Sequence, residues 1–322
     1  MPDLTKEAAD EAAQHTLGEA VPTADTAVVE KAATNNNRSL WGDAWVDLRR
    51  RPMFIISVLI ILLLIVMSAF PGLFTGADPT ATDLQNHYLS KPKLGHVFQA
   101  DWLGYDQQGR SVYSRLVHGT RNSVLVGFGA TIIVTLLGSF VGMIAGYFGG
   151  WLDAILSRLT DIFFGIPFLL GAMLVMNAFT DRKWWLVAAA LGILGWTQIT
   201  RVMRGSVLTV KQSDYVQAAK ALGASTSRIM VRHILPNAMA PVIVVATIAL
   251  GTYIGAEATL SYLGLGLSAP AVSWGADISD GLAQIRVAQH VLLYPSIMLT
   301  LTVFAFIMLG EAVRNALDPK LR

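Results

Sequence analysis

Side chains able to do covalent or metal chemistry are sparse and isolated in this chain. Asp277 and Asp280 lie three apart, on one helical face, and a carboxylate pair of that kind can serve acid–base or metal chemistry. No base, metal-ligand set or third group accompanies them, so neither use is assigned. The six His occur singly, and no H-E-x-x-H zinc motif is present. With no Cys in the sequence, a disulfide framework and cysteine-based metal or redox sites are excluded. The phosphate-cradling pattern G-x-x-x-x-G-K-[ST] is absent, so this chain does not hydrolyse ATP itself. "GFGATI" at 127–132 begins like a dinucleotide loop but lacks the third Gly and sits in an apolar run. Lys and Arg flank apolar segments and form no nucleic-acid patch. No metal or cofactor is assigned to the chain.

Polar groups inside apolar runs offer a second kind of chemistry, the wall of a solute path. An ionisable side chain at membrane depth is costly and faces a bundle interior or water. Glu257, following an apolar run, is the main candidate. Its alternative is an outer-interface position paired with a loop residue. Asn177, Thr131, Thr135 and Gln198 are weaker candidates, since Ser and Thr in helices commonly bond their own backbone. Asp161 and Glu311 read as helix-end charges, and Met173 and Met176 as packing.

The elements that must position these groups are membrane helices. The chain is 53% hydrophobic and 14% charged, where an ordinary soluble domain has about 25% charged residues. About 20 mostly apolar residues cross a bilayer as one helix. Six such stretches run near 53–70, 123–146, 162–179, 184–200, 238–257 and 291–311. The expectation is an all-α polytopic membrane protein with six transmembrane helices. The first stretch, "MFIISVLIILLLIVMSAF", has no charge and is too long and too far along to be a cleavable signal. Residues 1–40 carry seven acids against three Lys/Arg without an apolar period, and read as a disordered tail. Residues 41–51, with Trp41, Ala44, Trp45 and Leu48 at helical spacing, read as an amphipathic interfacial helix that Pro52 breaks. The first transmembrane helix then takes 52–71, a loop and pre-helix 72–118, a five-helix core 119–314, and a short terminus 315–322.

Six spans place both termini on one side. Sixteen of the 24 Lys/Arg fall in segments on that side, including Arg49, Arg50 and Arg51. The excess of Lys and Arg on the cytoplasmic side makes the N-terminus, the C-terminus and the segment between the fourth and fifth spans cytoplasmic. Residues 72–118 are then extracytoplasmic. The Gly- and Pro-containing loop after the fifth span reads as a plug or re-entrant segment on the outer face. Gly138, Gly142 and Gly146 share one face of the second span, where small residues let helix backbones approach closely. Packing within the chain is favoured there over a seam between subunits.

The cytoplasmic segment 214–237 has its own design. "DYVQAAKAL" forms a helix with Val216, Ala219 and Leu222 on one face. Gly223 supplies the left-handed turn that ends it. Ser225 caps a second helix, "TSRIMVRHIL", striped by Ile229, Met230, His233 and Ile234. Pro236 is expected to stop that helix before the fifth span. The stripe needs a cover, either the protein's own helices, lipid headgroups or another subunit.

"YVQAAKALGASTSRIMVRHILPN", residues 215–237, resembles the EAA loop of permease subunits in ATP-binding-cassette importers. The family pattern is Glu-Ala-Ala, three residues, Gly, nine residues, Ile, one residue, Leu-Pro. Gln217, Ala218, Ala219, Gly223, Leu235 and Pro236 fall on it, with Gln217 in place of the Glu and His233 in place of the Ile. "WLGYDQQGRSVYSRLVHGTRNSV" at 102–124, "AGYFGGWLD", "EATLSYLGLG" and the terminal "ALDPKLR" are similar to the oligopeptide/dipeptide/nickel branch. The chain is identified from about residue 40 onward as a C-type (OppC/DppC-type) permease subunit of that branch.

The resemblance implies the type I importer transmembrane fold and one half of a membrane pore in a prokaryotic cytoplasmic membrane. It implies a second permease chain, one or two cytoplasmic ATPase subunits carrying ATP and Mg, and an extracytoplasmic binding protein that delivers peptide. Tyr215, Gln217, Ala218, Ala219, Gly223, Arg228, Ile229, Arg232, His233, Leu235 and Pro236 would then form the ATPase-coupling loop. Import of nickel or another small solute by the same kind of subunit is the alternative. A secondary transporter would need an ion or proton relay that the spans lack. A membrane-embedded enzyme would need a convergent nucleophile or metal set. A scaffold would recruit a partner without transport.

Overall fold

A computed structural model describes residues 48–317. The tail at 1–40, residues 41–47 of the expected interfacial helix with Trp41, Ala44 and Trp45, and the terminal 318–322 lie outside the described residues.

The described chain is mainly helical, with residues 70–111 and 263–273 largely irregular, and its elements follow from local chemistry. Helix α1 (Pro52–Ala69) starts with Pro at its first position, where the missing N–H costs nothing. It carries no charge; Leu64 and Met67 turn inward while Ile55, Leu59, Leu62 and Ile65 stay exposed, as lipid-facing residues would. Helix α2 (Val112–Phe148) is capped by Ser111, whose hydroxyl accepts from the Ser114 amide at 3.2 Å. At about 1.5 Å per residue it is about 55 Å long, well beyond the roughly 30 Å of hydrocarbon. The span expected at 123–146 is therefore the inner part of a longer rod. It ends at Gly149 and Gly150, both in the left-handed region at φ +66° and +58°.

The stretch expected to cross at 162–179 does not form one helix. It straddles an elbow between α3 (Gly150–Phe164) and α4 (Phe168–Asn177), which meet at 78°. Pro167 lies at the break. Its ring disfavours helix in the residue before it, and it has no N–H to continue the ladder. Counting the bent pair as one span gives six crossings, and omitting it gives five.

Helix α5 (Trp184–Lys211) runs eleven residues past its expected end at 200. The charges that appeared to end the span, Arg201 and Arg204, are paired with Asp161 and Asp153 of α3. A short helix α6 (Asp214–Ala221) follows. The next helix, α7 (Thr226–Tyr262), is continuous. It opens with one α turn, passes through a π segment at Ile229–Ile234 and continues as α-helix from Leu235. Pro236 does not stop it. It lies in the first turn after the π segment, where the ladder is already re-registered and a missing N–H is tolerated. Helix α8 (Trp274–Leu282) folds back on the bundle, and α9 (Gln289–Leu317) completes it.

Helices α2 and α5 form the most extensive pair. Gly138, Gly142 and Gly146 all face α5. A Cβ at Gly138 would stand 2.7 Å from Ile199 Cβ, at Gly142 2.5 Å from the Thr200 carbonyl oxygen, and at Gly146 2.9 Å from Val207. Only glycine lets the two backbones lie that close. The main core joins α2, α4, α5 and α7 through Val126, Met176, Leu191, Met203 and Val242, with Val216 of α6 and Ile229 and Ile234 of the π segment.

Candidate functional site

The segment 212–235 is a hairpin anchored to two spans. Its first half ends in a complete glycine cap. The Gly223 amide donates to the Lys220 carbonyl at 3.0 Å, and the Ala224 amide to Ala219 at 3.1 Å. Gly223 sits at φ +78°, so the cap depends on its lack of a side chain. Gln217 Nε2 donates to the Lys211 carbonyl at 2.9 Å. That carbonyl belongs to the last turn of α5, where helix carbonyls lack intrahelical partners. The amide at this position thus ties α6 to α5 without any charge.

The hairpin separates its apolar residues by face. Val216, Ile229 and Ile234 are buried, and Met230 and His233 are half-buried. The stripe folds back on the protein's own helices. Leu222 does not share the Val216 face as expected. It lies just past the end of α6 and is 88% exposed. Tyr215, Gln217, Ala218, Gly223, Arg228, Val231, Arg232 and Pro236 are also exposed, with Ala219 and Leu235 half-buried. Leu222 is the most exposed large apolar side chain among them. Leu222 and Val231 are not among the coupling-loop residues that the resemblance implies. A Leu directly before a capping Gly is the signal that marks the tip.

The five residues considered for a solute path are not brought together. Glu257 is not on any open wall. It is completely buried, accepting from Ser261 at 2.7 Å and Ser123 at 3.1 Å, with Ser273 adjoining. The serines and flanking small residues close the packing around the carboxyl, so it joins α2 to α7. Thr131 is buried and donates to its own helix at the Gly127 carbonyl, 2.8 Å. Thr135 faces an apolar cleft with Ser139, Phe140, Met143 and Met230, and its buried hydroxyl has no partner among the described residues. Asn177 is exposed at the last turn of α4. Gln198 is exposed in a cleft of about 320 Å³ with Phe163, Phe168, Thr252 and Tyr253.

At the end of the bundle away from the hairpin, the carboxylate pair noted in the sequence is committed to arginines. Arg115 Nε donates to Asp277 at 2.8 Å, and a second guanidinium nitrogen makes the same contact. Arg110 reaches Asp280 at 3.1 Å and Asp106 at 2.6 Å. Burial pushes the Asp277 carboxyl up to about 6, with the Arg115 charge pulling it back. Trp274 is fully buried and donates to the Leu116 carbonyl at 3.0 Å. Together these pin α8 over the end of α2. Asp277 and Asp280 are therefore structural partners. Among the described residues no group of three His, Asp or Glu is placed to hold a metal.

Comparison with known proteins decides what this arrangement belongs to. Residues 138–322 match the family described as "Binding-protein-dependent transport system inner membrane component", and residues 39–92 match "N-terminal TM domain of oligopeptide transport permease C". The chain belongs to this family. It is 37% identical over 301 residues to the oligopeptide transport system permease protein OppC of Bacillus subtilis (strain 168), covering 94% of this chain and 96% of that one. It is 35% identical to the dipeptide transport system permease protein DppC of Alkalihalophilus pseudofirmus, covering 88% and 91%. It is 33% identical to the glutathione transport system permease protein GsiD of Pectobacterium atrosepticum, covering 88% and 93%. The MetNI methionine ABC transporter in inward-facing form matches the fold with a TM-score of 0.51 at 20% identity, over 63% of this chain and 96% of that one. The chain is thus an inner-membrane, multi-pass permease subunit of an ABC importer, and ATP hydrolysis lies in separate subunits.

Proposed function

We propose that this permease carries short peptides and is driven through the hairpin at 212–235. The relatives are named for oligopeptides, dipeptides and glutathione, which share a peptide backbone and charged termini. One observation carries the coupling role: Leu222 stands almost bare on a glycine-capped turn tied to two spans. An exposed leucine on a glycine-capped tip buries little surface within the subunit, and a groove in a partner would bury it. The partner is a cytoplasmic ATPase, one or two copies serving this chain and a second permease. A binding protein delivers peptide at the α8 end. Both termini and the hairpin are cytoplasmic by the Lys/Arg distribution.

When the ATPases close, the hairpin moves as a unit. Gln217 carries that motion to α5, and the continuous helix carries it to α7. A ligand shifts a two-state equilibrium only by its differential affinity. Nucleotide supplies that difference through the ATPases, and access to the route alternates. The test is uptake by the transporter reconstituted with all its subunits. Proline fits neither φ +78° nor the Gly223 amide bond. Gly223→Pro is expected to leave the subunit in the membrane and abolish ATP-dependent uptake. Normal uptake by this variant, or wild-type uptake that runs on an ion gradient without ATP, would overturn the reading.

A further inference from the structure

Helix α5 carries two arginines one turn apart, and α3 holds them in different ways. Arg204 is held by two bonds. Its Nε and a terminal nitrogen reach the two Asp153 oxygens at 2.6 and 2.7 Å, and Ser157 donates to the same carboxylate at 3.1 Å. Arg201 is held by a single bond to Asp161 at 2.9 Å, with its guanidinium 4.0 Å from the centre of the Phe164 ring. The Arg201 and Asp161 side chains are 46% and 58% exposed. A guanidinium has five donors in a fork that suits a carboxylate, so most of the Arg201 fork is uncommitted.

Depth makes this exposure informative. At 1.5 Å per residue, Arg201 lies about 25 Å along α5 from Trp184 and about 15 Å from Lys211. The whole helix is about 40 Å, longer than the roughly 30 Å of hydrocarbon, and Arg201 is the first charge after the apolar run 184–200, at the boundary of the hydrocarbon slab. An ion pair bare to lipid there is costly, and such groups face water or a bundle interior. This pair lines a cavity of about 370 Å³ with Ser157, Thr160, Thr200 and Arg204. That is the size of a small-molecule site, roughly 300–1,000 Å³. Thr160 and Thr200 donate their protons to the Leu156 and Trp196 carbonyls, so their hydroxyls offer lone pairs. The Gln198 and Thr252 cleft lies farther along the same α3–α5 wall.

We propose that Arg201 receives the carboxylate terminus of a passing peptide. Phe164 and Asp161 hold the guanidinium ready, and the peptide carboxylate takes the place of Asp161. The exchange forms one charge-assisted pair as it breaks another. A zwitterionic peptide brings no net charge into the slab, and its ammonium is a donor for the displaced Asp161 and for the threonine lone pairs. Arg204, held at both ends by Asp153, keeps α3 against α5 and takes no part in the exchange. This inference rests on the peptide-permease reading.

The test uses the complete transporter with its partner subunits and binding protein in proteoliposomes. Two peptides are compared that differ only in a C-terminal carboxylate against a C-terminal amide, each at saturating binding protein. Arg201→Gln is expected to slow uptake of the acid at least tenfold relative to wild type while changing the amide less than twofold. Arg201→Lys keeps the charge without the planar fork and is expected to fall between. It also serves where Arg201→Gln fails to assemble. An equal loss for both peptides, or no loss for either, would overturn the carboxylate role. In that case ATP-dependence of the remaining uptake would leave the permease reading intact. If the acid-selective loss occurs only in vesicles containing anionic phospholipid, Arg201 holds a headgroup and the proposal fails.

Discussion

Leu222→Ala separates a docking residue from a folding residue. The native side chain is 88% exposed, so truncating it removes little buried surface from the isolated permease. Removing three carbons from a fully buried site costs about 2.4 kcal/mol at roughly 0.8 kcal/mol per carbon. With about an eighth of that surface buried in the free subunit, the expected loss of subunit stability is about 0.3 kcal/mol. Seated in an ATPase groove, the same three carbons contribute most of the 2.4 kcal/mol, or about 50-fold in affinity at 1.4 kcal/mol per tenfold. The assay pairs two readouts: thermal unfolding of the detergent-solubilised permease, and titration of the immobilised permease with its ATPase subunit. Unfolding is expected to be unchanged and the dissociation constant raised about 50-fold. An unchanged dissociation constant, or a permease destabilised by more than 1 kcal/mol, would refute the reasoning that Leu222 is held out for a partner.

Two further outcomes concern the bundle. Gly142→Ala places a methyl 2.5 Å from the Thr200 carbonyl oxygen and is expected to lower stability by about 1–3 kcal/mol. Gly205→Ala meets nothing within 4 Å and is expected to hold or slightly raise it; matched unfolding curves distinguish the two. Burial lifts the Asp277 carboxyl from 3.8 to about 6, so the native state keeps a proton that the unfolded chain has released. The stabilisation is complete below about pH 3.8 and is lost as pH rises through about 6, amounting to about 3 kcal/mol at most. Unfolding of wild type against Asp277→Asn from pH 4 to 7 checks this: the difference in slope is expected in that window, and parallel curves would count against it.

What could be read from the sequence depended on whether the signal was local. Helix α1 was legible because eighteen residues carry no charge and Pro52 marks its start. The glycine face of α2 was legible because its spacing of four is a property of one helix. The hairpin turn was legible because Gly223 is needed for a local backbone reason. The elbow at 165–167 was missed because Pro167 sits in a continuous apolar run, and hydropathy does not register a bend. The full length of α5 was missed because its charges are neutralised by α3, and Asp153 and Asp161 lie 51 and 40 residues away. For Glu257 a path position and an outer-interface position paired with a loop residue both stayed open for the same reason. Its partners include Ser123, 134 residues earlier in the chain, and no pattern within α7 announces them. Leu222 was placed on the buried face because the helical period was carried one residue beyond where the helix ends.

These nonlocal contacts converge on one mechanical arrangement. The hairpin is joined to α5 by the Gln217–Lys211 bond and to α7 by unbroken helix. Helix α5 is locked to α2 through three glycines and to α3 through Asp153. The freer pair, Arg201 with Asp161, lies on the same α3–α5 wall. A π segment interrupts the α7 ladder within the second half of the hairpin, and π turns of this kind are frequent at functional positions. A push at Leu222 therefore reaches the wall that carries Arg201 by two separate links. One is the short α5–α6 connection with its Gln217–Lys211 hydrogen bond, and the other is the continuous helix α7 with its π segment. On the proposed reading, the Arg204–Asp153 pair keeps α3 and α5 together while Arg201 changes partners. On the proposed readings, coupling and cargo contact meet on helix α5.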